Sequence, residues 1–199
     1  MIEIEIKVKI SDPTLMRKKF EESNGVYKFS LDHEDTYFNM PKGLRDFRQT
    51  DEALRLRKST EFFKNNNTRS QKINYFITYK GKKIDRATKT REEIEIALSE
   101  IEAMKNLLEL LGFREIFTVL KKRELYEFKF KNTKIEALID YIPILDQYFV
   151  EVEIITKSFD DVEKSKELLF SFLNQFGIKK QESIRTSYLE LISNKLKGI

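Results

Sequence analysis

Acidic and basic side chains recur two residues apart along much of this 199-residue chain. Glu3, Glu5 and Lys7 open the series, followed by Asp35 with Tyr37, Arg55 with Arg57, and Lys80. Arg91, Glu93 and Glu95, then Lys121 with Arg123, Asp140, and finally Glu151 with Glu153 complete it. In an extended strand successive side chains point to opposite faces, so each set shares one face. The acids concentrate on the first and last runs and the bases lie between. Arg forks and Lys ammoniums bind phosphate oxygens. Grouped carboxylates hold hard divalent cations that bridge to the same oxygens. The chemistry that uses both sets is that of a polyphosphate.

The elements carrying these residues are mostly strands. Residues 2–10 alternate strictly, with Ile2, Ile4, Ile6 and Val8 opposite Glu3, Glu5, Lys7 and Lys9. Ser11-Asp12-Pro13 has the cap and early Pro of a helix start, and that helix runs to about Glu22. Strand patterns follow at 26–38, 53–59, 73–80 and 88–97, then a helix from Ser99 to Gly112. Further strands are expected at 113–123, 125–130, 133–141 and 149–156, and helices at 160–176 and 184–196. Residues 40–52, 64–71 and 81–87 read as exposed loops within one domain spanning 1–199, because strands of the same style resume after each. The class is α+β, an antiparallel sheet with helices packed on it.

Composition narrows the chemistry. Hydrophobic residues make up 40%, enough for a globular core, while charged residues reach 35%, above the ~25% usual in soluble domains. With 37 Lys+Arg against 33 Asp+Glu the net charge is only +4, which describes two opposed charge sets better than a basic patch. The absence of Cys removes thiolate metal sites, disulfides and Cys nucleophiles, and a single His, His33, removes any two-imidazole site. A metal must therefore rest mainly on carboxylates, which favours Mg²⁺, Mn²⁺ or Ca²⁺. With no signal peptide and no apolar run of membrane-spanning length, a cytoplasmic location is expected and a membrane partner is not.

On any one strand such alternation describes a solvated outer face. Two features turn the charges inward. The helices carry apolar stripes that need the Ile/Leu/Val faces of the strands, and the charges are sorted by strand instead of mixed. A barrel with helices outside would then enclose a charged lumen. Two like charges ~4 Å apart at an effective dielectric of ~20 repel by about 4 kcal/mol, so such a lumen must hold water and a neutralising ligand.

These residues resemble the CYTH domain, or triphosphate tunnel metalloenzyme, superfamily. Glu3-Ile4-Glu5-Ile6-Lys7 matches its ExExK signature. The order of His33-x-Asp35-x-Tyr37, Leu54-Arg55-Leu56-Arg57, Thr78-Tyr79-Lys80-Gly81, Arg91-Glu92-Glu93-Ile94-Glu95, Lys121-Lys122-Arg123, Asp140 and Glu151-Val152-Glu153 extends the match. Ser187 to Leu191 looks like the C-terminal segment of the class IV adenylyl cyclase branch. The resemblance implies a closed antiparallel eight-stranded β-barrel. In it Glu3, Glu5, Glu151 and Glu153 bind two Mg²⁺ or Mn²⁺ ions. Lys7, Arg55, Arg57, Lys80, Arg91, Lys121 and Arg123 hold the triphosphate oxygens. Glu5, Lys80, Asp140 and Glu153 form the catalytic set, Asp140 acting at the metal end, while Glu93 and Glu95 orient the bases or help hold a metal. His33 stands where relatives often carry Gln, and a lone His is usually structural or exposed. Tyr188 and Glu190 read as helix packing or as part of a lid, and Lys164, Lys166, Lys179 and Lys180 as solvated helix surface.

The expected activity is hydrolysis of a linear triphosphate, inorganic triphosphate first, by in-line attack of a metal-activated water. The alternative is a class IV adenylyl cyclase, which uses the same residues to form cyclic AMP and pyrophosphate. A non-enzymatic polyphosphate or nucleic-acid binder is disfavoured, since acid pairs repel phosphate without metal. Thiamine triphosphate is a further candidate substrate, and a homodimer is left open.

Overall fold

The computed structural model describes residues 2–65, 68–85, 87–156 and 158–197. Eight antiparallel strands close on themselves: β1 (Ile2–Ile10), β2 (Val26–Asn39), β3 (Ala53–Asn65), β4 (Thr68–Lys80), β5 (Arg91–Leu98), β6 (Arg114–Phe130), β7 (Thr133–Ile142) and β8 (Gln147–Thr156). Around the ring the order is β1-β5-β4-β3-β2-β6-β7-β8. Among the described residues five α-helices accompany them: α1 (Pro13–Glu22), α2 (Phe47–Thr50), α3 (Ile101–Leu110), α4 (Val162–Asn174) and α5 (Tyr188–Lys197). No helix among the described residues is long and apolar enough to cross a membrane.

The apolar side of β1 faces outward, onto the helices. Ile2, Ile4, Ile6, Val8 and Ile10 join Met16 and Phe20 of α1 and Leu169, Phe170, Phe172 and Leu173 of α4 in the largest apolar cluster. Phe20 is fully buried and meets Tyr126, Phe128 and Phe176 edge-on at 5.3, 5.2 and 5.0 Å. Burying one such ring contributes about 1.5–3 kcal/mol. Asp12 caps α1 by accepting from the Leu15 N–H, and the chain leaves the helix at Gly25. A Cβ there would lie 2.7 Å from the Phe20 carbonyl oxygen, so no larger residue fits. A second cluster, Phe38, Phe47, Leu54, Leu56 and Leu108, packs α2 and α3 against the other side of the ring.

Five expectations need correction. Residues 40–52 are not wholly exposed loop: they hold the short helix α2, whose Phe47 is buried in the second cluster. Residues 114–130 form the single strand β6, where two strands were expected over 113–130. Its alternation falters near Glu124 because the inward side changes from Lys121 and Arg123 to Leu125, which packs inside with Leu31 and Leu138. Residues 64–71 extend the β3–β4 hairpin to the pair Asn65↔Thr68, while 66 and 67 lie outside the described residues. Backbone pairing continues there although the side chains are polar. The last helix starts at Tyr188, not Ile184, because residues 183–187 run along β1 instead, with the Ile184 N–H bonded to the Lys7 carbonyl at 2.7 Å. Lys166 is not solvated surface. It is buried between Asp85 at 3.0 Å and Glu163 at 2.6 Å, whereas Lys164, Lys179 and Lys180 are exposed.

Candidate active site inside the barrel

Antiparallel register brings the two-residue charge repeats into one lumen. Glu5 lies opposite Glu153 and Lys7 opposite Glu151 across β1 and β8. Asp35 faces Arg57, and Tyr37 faces Arg55, across β2 and β3. Lys80 faces Glu93 across β4 and β5, and Arg123 faces Asp140 across β6 and β7. A cavity of about 990 Å³ is lined by Glu3, Glu5, Arg55, Arg57, Lys80, Arg91, Lys121, Arg123, Glu151 and Glu153. Lys7 and Asp140 do not line it. They are buried behind Tyr188, whose hydroxyl donates to Asp140 at 2.8 Å and whose ring centroid is 4.1 Å from the Lys7 ammonium. Lys7 also donates to the Thr186 carbonyl. Burial, with the nearby Lys89 charge, pulls the Lys7 ammonium down to about 7.

Buried carboxylates hold the basic side chains in place. Asp35, fully buried, receives both forks of Arg57 at 2.6 and 2.8 Å, with Lys121 at 3.2 Å and Arg55 at 3.7 Å. Burial alone would raise this carboxyl, but Arg57, Lys121 and Arg55 together hold it well below the usual range. Lys121 loses proton affinity in turn, falling to about 7 through burial and the neighbouring Arg123. Asp140 receives both forks of Arg123 at 2.8 and 2.6 Å, and Arg123 reaches on to Glu151 at 2.7 Å. Lys80 bonds Glu93 and lies 3.4 Å from Glu3. Arg55 also reaches Glu95 at 3.3 Å and Thr78 at 2.9 Å, yet its Nε is buried without a hydrogen-bond partner among the described residues. His33 is buried on the same inner face, its Nδ1 also unpartnered. Burial, then Arg57, Arg123 and Lys121, hold it neutral.

The acids divide into two groups. One oxygen each from Glu3, Glu5 and Glu153 lie within 4.8 Å of one another. Burial raises all three carboxyls, Glu5 to about 7, and repulsion from neighbouring acids adds to it. Hard oxygen donors crowded beyond what they tolerate as anions suit a divalent cation of the Mg²⁺ or Mn²⁺ type. Glu151 is not one of the trio, although it lies beside Glu5; its oxygens are taken by Lys89 at 2.9 Å and Arg123 at 2.7 Å.

Lys89 is the central residue that sequence reasoning missed. It lies in the irregular segment before β5, where its N–H bonds the Glu5 carbonyl at 3.0 Å and its buried ammonium bonds both Glu5 and Glu151. Its odd number, shared with Arg91, Glu93 and Glu95, was the available signal. Tyr188, read from the sequence as helix packing or part of a lid, is inserted into the barrel beside Val119, Ile142 and Phe149.

Comparison with known proteins agrees with this architecture. The CYTH domain family model matches residues 1–188. The chain is 39% identical over 192 residues to the Methanocaldococcus jannaschii protein MJ0240, which carries a provisional adenylate cyclase name, covering 96% of this chain and 98% of that one. The structure of the PH1819 protein from Pyrococcus horikoshii superposes with a TM-score of 0.81 at 34% identity, over 97% of this chain and 99% of that one. The Hippeastrum protein HpAC1, described as a provisional adenylyl cyclase with a dominant triphosphatase activity, shares the fold at a TM-score of 0.63 and 18% identity, over 97% and 96% of the two chains. With its barrel, its inward charge repeats and these matches, the chain belongs to the CYTH domain family.

Proposed function

We propose that this protein is a divalent-metal-dependent hydrolase of a linear triphosphate, with inorganic triphosphate the preferred substrate. The observation that carries the reading is the arrangement of the cavity, with Glu3, Glu5 and Glu153 converging in the same closed lumen as Arg55, Arg57, Lys80, Arg91 and Lys121. Glu3, Glu5 and Glu153 would hold a Mg²⁺ or Mn²⁺ ion. Such an ion, when bound, draws charge from phosphoryl oxygens and makes water more acidic.

The chain's own residues do the positioning. Arg57 and Lys121, spread by Asp35, and Arg55, which lines the same cavity, supply donors for phosphoryl oxygens. Lys80 and Arg91 supply more along the chain of phosphates. The barrel wall limits bulk water, which strengthens each of these charge contacts. Water oxygen bonds to the terminal phosphorus, the bridging P–O bond opposite breaks, pyrophosphate leaves with those electrons, and the water proton passes to solvent. Position and fixed charge suffice for this step, so no side-chain nucleophile is required.

Adenylyl cyclase activity is the second reading, and one observation favours it. The cavity continues past the charged zone to Phe38, Phe47, Ile116 and Phe117, an apolar wall where a base could stack. Its volume of about 990 Å³ reaches the upper end of the ~300–1,000 Å³ of small-molecule sites. A cyclase must also align the ribose 3′-hydroxyl with the α-phosphorus, and a small misplacement there is costly. The deciding experiment incubates the protein with Mg²⁺ or Mn²⁺ and either ATP or inorganic triphosphate, and assays orthophosphate, pyrophosphate and cyclic AMP together. Faster orthophosphate release from inorganic triphosphate is expected. Dominant cyclic AMP would overturn the ranking, and no metal-dependent product of any kind would overturn the enzyme reading.

A further inference from the structure

Four carboxylates face the acidic part of the lumen, Glu3, Glu5, Glu151 and Glu153, which by count alone would serve two divalent ions. The structure divides them unequally. Both oxygens of Glu151 are occupied by protein cations, Oε1 by the Lys89 ammonium at 2.9 Å and Oε2 by Arg123 at 2.7 Å. Arg123 is itself fixed by two bonds to Asp140 and so stays close to Glu151. Glu153, by contrast, has no ion-pair partner among the described residues, and Glu3 has only Lys80 at 3.4 Å.

Lys89 has little freedom to withdraw. Its backbone N–H is bonded to the Glu5 carbonyl at 3.0 Å. Its neighbours Thr88 and Thr90 are buried and bonded to each other at 2.6 Å. The C-terminal segment ties the same stretch down, with the Ser183 hydroxyl on the Ala87 carbonyl at 2.8 Å and Arg185 on the Thr88 carbonyl at 3.3 Å. The Tyr188 ring stands over the ammonium, 5.6 Å from its centroid.

We infer that the Lys89 ammonium is a built-in cation that fills the Glu5–Glu151 position, so that the carboxylates of this protein take one divalent ion, on Glu3, Glu5 and Glu153, and not two. A fixed ammonium bonds two carboxylates at once, with one positive charge where a divalent ion brings two, and it offers no vacant coordination position. The inference rests on the metal-site reading above and narrows it to a single ion.

The test titrates the full chain, freed of metal and without phosphate, with Mn²⁺ alone, and reads stoichiometry by calorimetry and by the loss of the free Mn²⁺ resonance signal. Wild type should take one ion. Lys89→Met, which keeps the stem and removes the charge, should take two, and Lys89→Arg should return to one. If Lys89→Met folds only with Mn²⁺ present, the wild-type stoichiometry and Lys89→Gln carry the test. Two ions in the wild type, or one in both charge-removing variants, overturns the inference and leaves the metal site standing. Glu153→Gln should abolish the wild-type ion. Uptake that survives it, or no saturable uptake by the wild type, overturns the Glu3–Glu5–Glu153 site and this inference together.

Discussion

Asp35→Asn tests whether buried acids hold the basic lining in place. The substitution keeps the side-chain shape and removes one charge from a residue that is fully buried among Arg57, Lys121 and Arg55. At an effective dielectric of ~20, one pair ~3 Å apart is worth about 5 kcal/mol before desolvation, so three give roughly 15 gross. Desolvation returns most of that. Breaking a buried pair nonetheless costs about 3–5 kcal/mol, because the surviving charges are left without compensation. For a chain of this size each kcal/mol moves the melting point by roughly 2–4 °C, so a drop of about 10 °C is expected in metal-free buffer at pH 7. Adding inorganic triphosphate should recover more of the melting point in the variant than in wild type, since the released bases can be neutralised by the ligand. The pH dependence has a definite sign. With its folded-state affinity for protons depressed, Asp35 contributes fully above the ordinary carboxylate range and loses that contribution only as pH falls through its lower folded value. Thermal melts carried from pH 8 to below pH 3 read this directly. An Asp35→Asn variant melting within about 2 °C of wild type at pH 7, less than ~1 kcal/mol, would falsify the account of Asp35 as the counter-charge of the phosphate-binding bases.

Glu5→Gln and Glu153→Gln should each abolish metal-dependent turnover while the protein stays folded, and unchanged activity in both would refute their assignment. Because burial and neighbouring acids raise both carboxyls in the folded state, the metal-free wild type should lose stability as pH rises from about 4.5 towards about 7 for Glu5, and metal-free melts of Glu5→Gln should be flatter over that window. Triphosphate and Mg²⁺ together should raise the melting point more than either alone, about 2.7 kcal/mol at ~100 times the dissociation constant; no shift at saturation would count against the site. Tyr188→Phe removes one bond to a charged acceptor, Asp140, and should cost about 1.5–3 kcal/mol by urea unfolding, an effect absent if that hydroxyl is not buried against the carboxylate.

The sequence alone determined which residues share a face. Period-two alternation assigned Glu3, Glu5 and Lys7 to one side of β1 and the Ile residues to the other, since adjacent side chains on a strand cannot point the same way. It also determined the ends of α1, through Asp12 and Pro13 at the start and Gly25 beyond its end. Alternation does not say which face closes inward, nor which strands become neighbours. Those follow from eight strands completing a ring, and only that closure sets Glu5 against Glu153 and Arg123 against Asp140. Lys89 and Tyr188 show the limit most clearly. Beyond Glu3, the open side of β1 is completed by two irregular segments, through the Lys89 N–H on the Glu5 carbonyl and the Ile184 N–H on the Lys7 carbonyl. Lys89 shares the odd parity of Arg91, Glu93 and Glu95, but parity does not say which strand its segment meets. Residues 183–187 have no period to read, and Ile184 is 177 residues from Lys7 in the chain. The ammonium at the acid pair and the ring in the barrel are therefore placed by backbone contacts distant in sequence, which only the tertiary structure decides.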